Sequence, residues 1–189
     1  MTVTQKAALV TAFERQEGYP VGSLLNVMLF ETGGTLRTDI MNAAGSGAVG
    51  IIQFMPSTCR ALGYTTEQVK RMSFGQQLEL VKRYLMPYRA KLLQTKDELD
   101  FYLAVLYPAL MGKPDTAYMA KDNTTRIYLQ NRGLDVDKDG DIQKGDIRKY
   151  FYRQVDKLRG NYGLQPVTVT AVLDTFAILL FAATILVGL

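Results

Sequence analysis

Apolar residues return at helical spacing between residues 4 and 17, with Ala8, Val10 and Phe13 expected to face inward and Gly18 closing the run. The next stretch, "GSLLNVMLFETGG", offers Ser23 as an N-cap, a continuous apolar body and a Gly33-Gly34 pair that stops it. A loop rich in small residues follows, "TLRTDIMNAAGSGAVG". Pro56 opens a short helix in "MPSTCRALG", and "TTEQVKRM" predicts another. Ser73 and Gln76 form a capping box ahead of "GQQLELVKRYL", a helix that runs to Pro87. "KDELDFYLAVLYPALMG" reads as an apolar helix interrupted near Pro108, and "IRKYFYRQVDKLRG" as a basic one. No alternating run predicts a strand, and no internal repeat or low-complexity segment is visible.

From Val167 to Leu189 the pattern changes to "VTVTAVLDTFAILLFAATILVGL", with Asp174 as its one ionisable side chain. As a helix these residues would rise about 34 Å at roughly 1.5 Å each, enough for a hydrocarbon core of about 30 Å. The segment is expected to span a membrane. Lys144, Arg148, Lys149, Arg153, Lys157 and Arg159 precede it, a basic flank that favours a cytoplasmic or particle-interior position for the rest. The N-terminal residues do not have the form of a secretory signal.

Composition narrows the chemistry more than charge does. Lys and Arg number 22 against 18 Asp and Glu, a formal net charge of +4 spread along 189 residues. That is too diffuse for a dedicated binder of nucleic acid, and no specific nucleic-acid partner is expected. There is no His and no Trp, and Cys59 is the single cysteine. Ser-His-Asp and Cys-His hydrolysis and His-ligated catalytic zinc all require an imidazole, so they are excluded. Cys59 has no partner for an intramolecular disulfide and reads as a small buried apolar residue. Carboxylate chemistry survives.

Glu31 is the carboxylate that stands out, because it follows the run "LLNVMLF" directly. Burial there disfavours the anion, and the negative end of a helix dipole disfavours it further, so the group can hold a proton near neutral pH and act as a general acid. Asp39, in the following loop, could be a second carboxylate, although nothing around it marks it.

Downstream, "GSGAVGIIQFMPSTCRALG" resembles the segment "GAxGLMQxMPxTAxxLG" of lytic transglycosylases and the related goose-type lysozymes. In that family a Glu-Ser pair ends an apolar helix some twenty residues earlier, corresponding here to Glu31-Thr32. The family's "AYNAG" looks like "LYPAL", which puts Tyr107 at its tyrosine, with Pro108 in place of the usual Asn. The likeness covers roughly residues 20–112. It implies that Glu31 protonates the leaving oxygen of a glycosidic bond in peptidoglycan and then serves as base. The C6 hydroxyl of the muramic acid replaces water, and the product is a 1,6-anhydro sugar. Gln53, Tyr107, Thr32 and Met55 would line the substrate site, Gln53 through its amide and Tyr107 by holding Glu31. Gly45, Gly47 and Gly50 would let the backbone approach a bulky glycan.

A second motif, "DVDKDGDIQKGD", fits the calcium loop of an EF-hand. Asp135, Asp137 and Asp139 take positions one, three and five, Gly140 makes the turn, Asp141 offers a carbonyl, Ile142 packs, and Asp146 closes the loop. Asp146 is shorter than the customary Glu, so weak structural binding of Ca2+, or better tolerance of magnesium, is expected, with no cofactor for catalysis.

The fold class expected is all-α: a lysozyme-like helical domain over 1–133, an EF-hand-like loop and basic helix over 134–160, a linker over 161–166, and a single transmembrane helix over 167–189. Its expected function is that of a lytic transglycosylase acting on peptidoglycan glycan strands. The alternatives are a muramidase that uses water and a non-catalytic wall-binding or ejection protein. Loops around residues 97–140 resemble phage-encoded members of the family, so a membrane-anchored, virion-associated protein with other virion proteins as partners is expected.

Overall fold

The computed structural model describes residues 1–43 and 45–164, and these are mostly helical. Helix α1 (Val3–Glu17) opens with a reciprocal capping box between Thr2 and Gln5 and stops at Gly18, which takes φ 75°. Ala7, Val10 and Phe13 face inward, while Ala8 is exposed. Helix α2 (Ser23–Glu31) follows, and its N-cap is Gly22 rather than Ser23. The short α3 (Pro56–Ala61) and α4 (Thr66–Lys70) lead to α5 (Phe74–Leu85), where the expected box of Ser73 and Gln76 is formed. A 3-10 turn connects α5 to α6 (Arg89–Thr95), and α7 (Glu98–Leu106) begins at Asp97, whose Oδ1 accepts from the Leu99 amide at 3.1 Å. Helix α7 stops two residues before Pro108, because a proline disfavours helical backbone at the residue ahead of it; Tyr107 is extended at φ −157° and ψ 82°.

Two strands that the sequence pattern did not predict lie beyond. Strand β1 (Tyr118–Ala120) pairs antiparallel with β2 (Ile142–Gln143), Tyr118 facing Gln143 and Ala120 facing Ile142. Segments of three and two residues are too short to show alternation. Tertiary contact makes them, since Ile142 is fully buried. Between the strands sits α8 (Arg126–Asn131), and β2 runs directly into α9 (Lys144–Asn161).

Helix α2 lies at the centre, with α1, α7 and α9 packed around it. Phe151 of α9 stacks on Tyr102 of α7, with centroids 4.5 Å apart and planes at 14°, and also meets Phe30 of α2 at 5.4 Å. Val155 of α9 is 1% exposed in the same cluster. Residues 134–160, expected as a unit of their own, therefore contribute to the central core.

The expected fold class needs correction where it included a transmembrane helix. No helix among the described residues is long and apolar enough to cross a membrane. The apolar helices α2 and α7 have nine residues each, about 14 Å of rise, while the 18-residue α9 carries basic and acidic side chains along its length. The segment 167–189, on which the expectation rested, lies outside the described residues.

A buried ionic cluster fastens α9 to α7. Lys144 Nζ lies 2.9 Å from Asp100 Oδ1 and 3.1 Å from Asp97 Oδ2, and Lys144 and Asp100 are almost wholly enclosed. Asp100 Oδ2 accepts from the Gly112 amide at 3.0 Å. Arg148 donates two bonds to Asp97, at 2.9 and 2.8 Å, and also reaches Asp115. Burial pushes the Asp97 carboxyl upward, but the bonds from Arg148 and Lys144 outweigh it and hold it at about 2. Removing one partner of such a set leaves an uncompensated charge in the interior, which costs about 3–5 kcal/mol. Lys144→Ala is expected to lower unfolding free energy by that amount, read from urea denaturation at neutral pH.

Candidate active site

Every side chain of α2 from Ser23 to Leu29 is buried. Phe30 and Glu31, at its C-terminal end, are half-buried. The chain leaves the helix through Gly33 at φ 58° and Gly34 at φ 84°, and the Gly34 amide donates to Leu29 O at 2.7 Å. A Cβ on Gly34 would fall 2.3 Å from the ring of Tyr162, so this position requires glycine twice over. Thr32 is fully buried: its hydroxyl donates to Met28 O at 2.6 Å and accepts from the Leu36 amide at 2.9 Å. Thr32 thus fixes the turn behind Glu31 from inside the fold.

Burial pushes the Glu31 carboxyl up to about 7. Glu14 is also pushed to about 7 by burial, but its oxygens accept three backbone N–H groups, whereas Glu17 is paired with Lys82 at 2.6 Å and Arg89 at 3.5 Å. Among the described residues no hydrogen bond or ion pair reaches the Glu31 carboxyl. A desolvated carboxyl without a counter-charge keeps its proton near neutrality and can give it to a substrate oxygen.

The hydroxyls that feel the Glu31 charge are those of Tyr84 and Tyr102. Burial, with added repulsion from Tyr88 and Glu31, raises Tyr84 to about 12. Burial, followed by Glu31 and Tyr150, carries Tyr102 well above its ordinary value. Tyr84 Oη donates to Ala104 O at 2.7 Å, which fixes that ring against α7. Tyr102 is wedged between Phe30, at 4.9 Å, and Phe151. Tyr107, the expected tyrosine of the site, is half-buried at the C-cap of α7.

Gln53 has a left-handed backbone, φ 53°, and its Nε2 donates to Gly50 O at 2.9 Å and to Ile40 O at 3.4 Å. Its amide donors therefore hold the glycine-rich loop. Gln53, Met55, Tyr84 and Val105 contribute to the walls of a cavity of about 40 Å³, and Met55 is 46% exposed on its rim. Gly50, at φ 83°, leaves space for a different side chain than a glycan: a Cβ there would lie 2.5 Å from Gln77 Oε1. Gln77 is fully buried and ties three segments together, accepting from the Ile51 amide at 3.0 Å and donating to Thr38 O at 2.8 Å and Val69 O at 2.7 Å. No sequence motif announced it. Gly45 has open space where a Cβ would go, and Gly47 faces Pro56 at 3.1 Å. Asp39 is joined to Arg37 by two bonds, at 2.9 and 2.7 Å, and the Arg37 hydrogen bond holds it at about 2. It is an exposed, ionised carboxylate and cannot serve as an acid at neutral pH.

In the acidic loop, carboxylate oxygens of Asp135, Asp137 and Asp139 lie within 4.8 Å of one another. Asp135 accepts from Tyr128 Oη at 2.7 Å and from the amides of Lys138 and Gly140. One Asp141 oxygen is enclosed without a partner, and burial and the charges of Asp139, Asp146 and Asp137 raise that carboxyl. Like charges crowded in this way suit a hard cation with oxygen ligands. Asp146 is oriented differently: its Oδ2 accepts from the Gln143 amide at 3.0 Å, capping α9, and Lys149 Nζ stands 3.4 Å from Oδ1. The first half of the loop fits a divalent ion, and its closing ligand is engaged elsewhere.

The Glu31 carboxyl has a folded pKa above its unfolded one, so its contribution to stability is full below about 4.5 and is lost as pH rises through about 7. Glu31→Gln removes that penalty. The variant is expected to be more stable than the parent at pH 8, by on the order of 2 kcal/mol after allowance for partial exposure, with the difference vanishing toward pH 4.5. Paired urea titrations across that range measure it. Compared with protein-family models, curated proteins and solved structures, the chain matches none of them.

Proposed function

We propose that this chain cleaves the glycan strands of peptidoglycan, with Glu31 as its acid and base. The observation that carries this reading is a half-buried, desolvated carboxyl at a helix end with no counter-charge among the described residues. Glycoside hydrolysis commonly employs two carboxylates, 5–5.5 Å apart or 6.5–9.5 Å apart. The alternative candidate, Asp39, is exposed and held by Arg37. A single acid suits an intramolecular displacement. Glu31 donates its proton to the glycosidic oxygen as the bond to C1 of the muramic acid breaks. The C6 hydroxyl of the same sugar then attacks C1 and returns its proton to the Glu31 carboxylate. No water is consumed, and the acid is regenerated. Tyr84 and Tyr102 sustain the dry surroundings that keep the proton in place, and Met55 and Gln53 sit on the wall that the strand would meet.

For the acidic loop we propose a structural divalent ion, Ca2+ or Mg2+, held by Asp135, Asp137 and Asp139 with the carbonyl of Asp141. Bound there, it would neutralise the aspartates just ahead of α9.

Glu31→Gln is expected to reduce release of muropeptides from purified sacculi at least about 1000-fold, with activity of the parent falling as pH rises above about 7. Mass spectrometry identifies the product: a mass one water below the hydrolytic one supports the anhydro route, a reducing end indicates a muramidase, and binding without release defeats the enzymatic reading. Saturating calcium is expected to raise the midpoint of thermal unfolding by a few degrees, and Asp135→Ala to abolish that rise. An unchanged midpoint at millimolar ion would refute the metal assignment.

A further inference from the structure

Helix α2 lacks a cap of its own. Gly22, at φ 95°, has no side chain to accept from the helix, and the Ser23 hydroxyl donates to Pro20 O at 2.7 Å. The free amides of its first turn are buried, where water cannot satisfy them. They are met from outside the helix. Glu14 Oε1 accepts from the Leu24 and Leu25 amides at 2.7 and 2.9 Å, and Oε2 from the Gly22 amide at 2.7 Å. Glu14 belongs to α1, is fully enclosed, and takes no part in the chemistry proposed above. Arg159 of α9 adds a counter-charge toward it and donates to Asn26 Oδ1 at 2.9 Å, one turn into α2.

We infer that Glu14 is a positioning residue for the acid at Glu31: its carboxylate pins α2 along its own axis from the end opposite the reacting group. This rests on the reading of Glu31 as the acid. Nine residues separate the two ends by only about 12 Å, and the body between them is packed on all sides. A packed helix of that length moves as one piece. At the far end Thr32 ties the helix to the Leu36 amide, and at the near end three bonds to Glu14 tie it to α1, so the axial setting needs both anchors and Glu14 supplies the one contributed by a different helix. Three donors on two oxygens also require the carboxylate form of the side chain: a glutamine offers one oxygen, and its NH2 would face the Gly22 amide. A displacement of about 1 Å at a reacting group is enough to cost about 100-fold in rate.

The test uses the full chain, with wild type, Glu14→Gln, Glu14→Ala and a control, Val69→Ala, which loses buried volume in α4 and leaves the cap of α2 intact. Turnover of a defined glycan is measured at a temperature where circular dichroism finds each protein folded. The expected result is a fall in kcat of about tenfold for Glu14→Gln and about 100-fold for Glu14→Ala, with KM within twofold of wild type and kcat of the control unchanged. Wild-type kcat in a folded Glu14→Gln, or a loss matched by the control, overturns the inference and leaves the acid standing. Absence of turnover by wild type overturns the acid and the inference together. Amide hydrogen exchange on the wild type requires no variant to fold: Leu24 and Leu25 are expected to be as protected as Val27 and Met28, and fast exchange at the first pair overturns the capping role.

Discussion

A short helix buried along its whole length has no solvent to complete its ends, and every backbone group there needs a protein partner. Helix α2 is such a helix, and much of the surrounding architecture follows from that requirement. One terminus is completed by a carboxylate from α1, the other by the Thr32 hydroxyl and the turn at Gly34. Its apolar flanks are covered by α7 and α9 through the aromatic group of Phe30, Tyr102 and Phe151.

Within that enclosure the acids are treated unequally, and the inequality is informative. Glu17 has two basic partners, Asp97 and Asp100 share Lys144, and Glu14 has three amides. Each of these carboxyls has protein partners where it is enclosed, although burial still lifts Glu14 to about 7. Glu31 has none among the described residues, so desolvation acts on it without opposition. An isolated structural carboxylate in that position would be a net cost to stability. A group that must carry a proton to a substrate gains from the same surroundings.

Much of this was legible in the chain. The apolar run ending in Glu31 and two glycines marked both the helix and a desolvated carboxyl at its end, and the capping box at Ser73 set the start of α5. The features that escaped reading share a physical cause: they depend on partners distant in sequence. The cap of α2 comes from eight residues upstream, where Glu14 looks like any polar position of an amphipathic helix. Gln77 carries no local motif, yet it is the hub between Ile51, Thr38 and Val69. Tyr102 and Tyr107 lie five residues apart, and only the break imposed by Pro108 separates their surroundings. Lys144 falls inside an acidic loop, where nothing local indicates that its ammonium enters the core.

The position of α9 has a consequence for how the molecule comes into being. Synthesis delivers Glu31 early and Phe151 some 120 residues later. Until α9 docks, Phe30 and Tyr102 lack their cover on one side, and water can approach the Glu31 carboxyl. On the proposal that Glu31 is an acid, an emerging chain would therefore carry an ordinary ionised glutamate, and its capacity to hold a proton near neutrality would arise only once α9 is in place. On that proposal, latency during synthesis follows from the order of the helices along the chain.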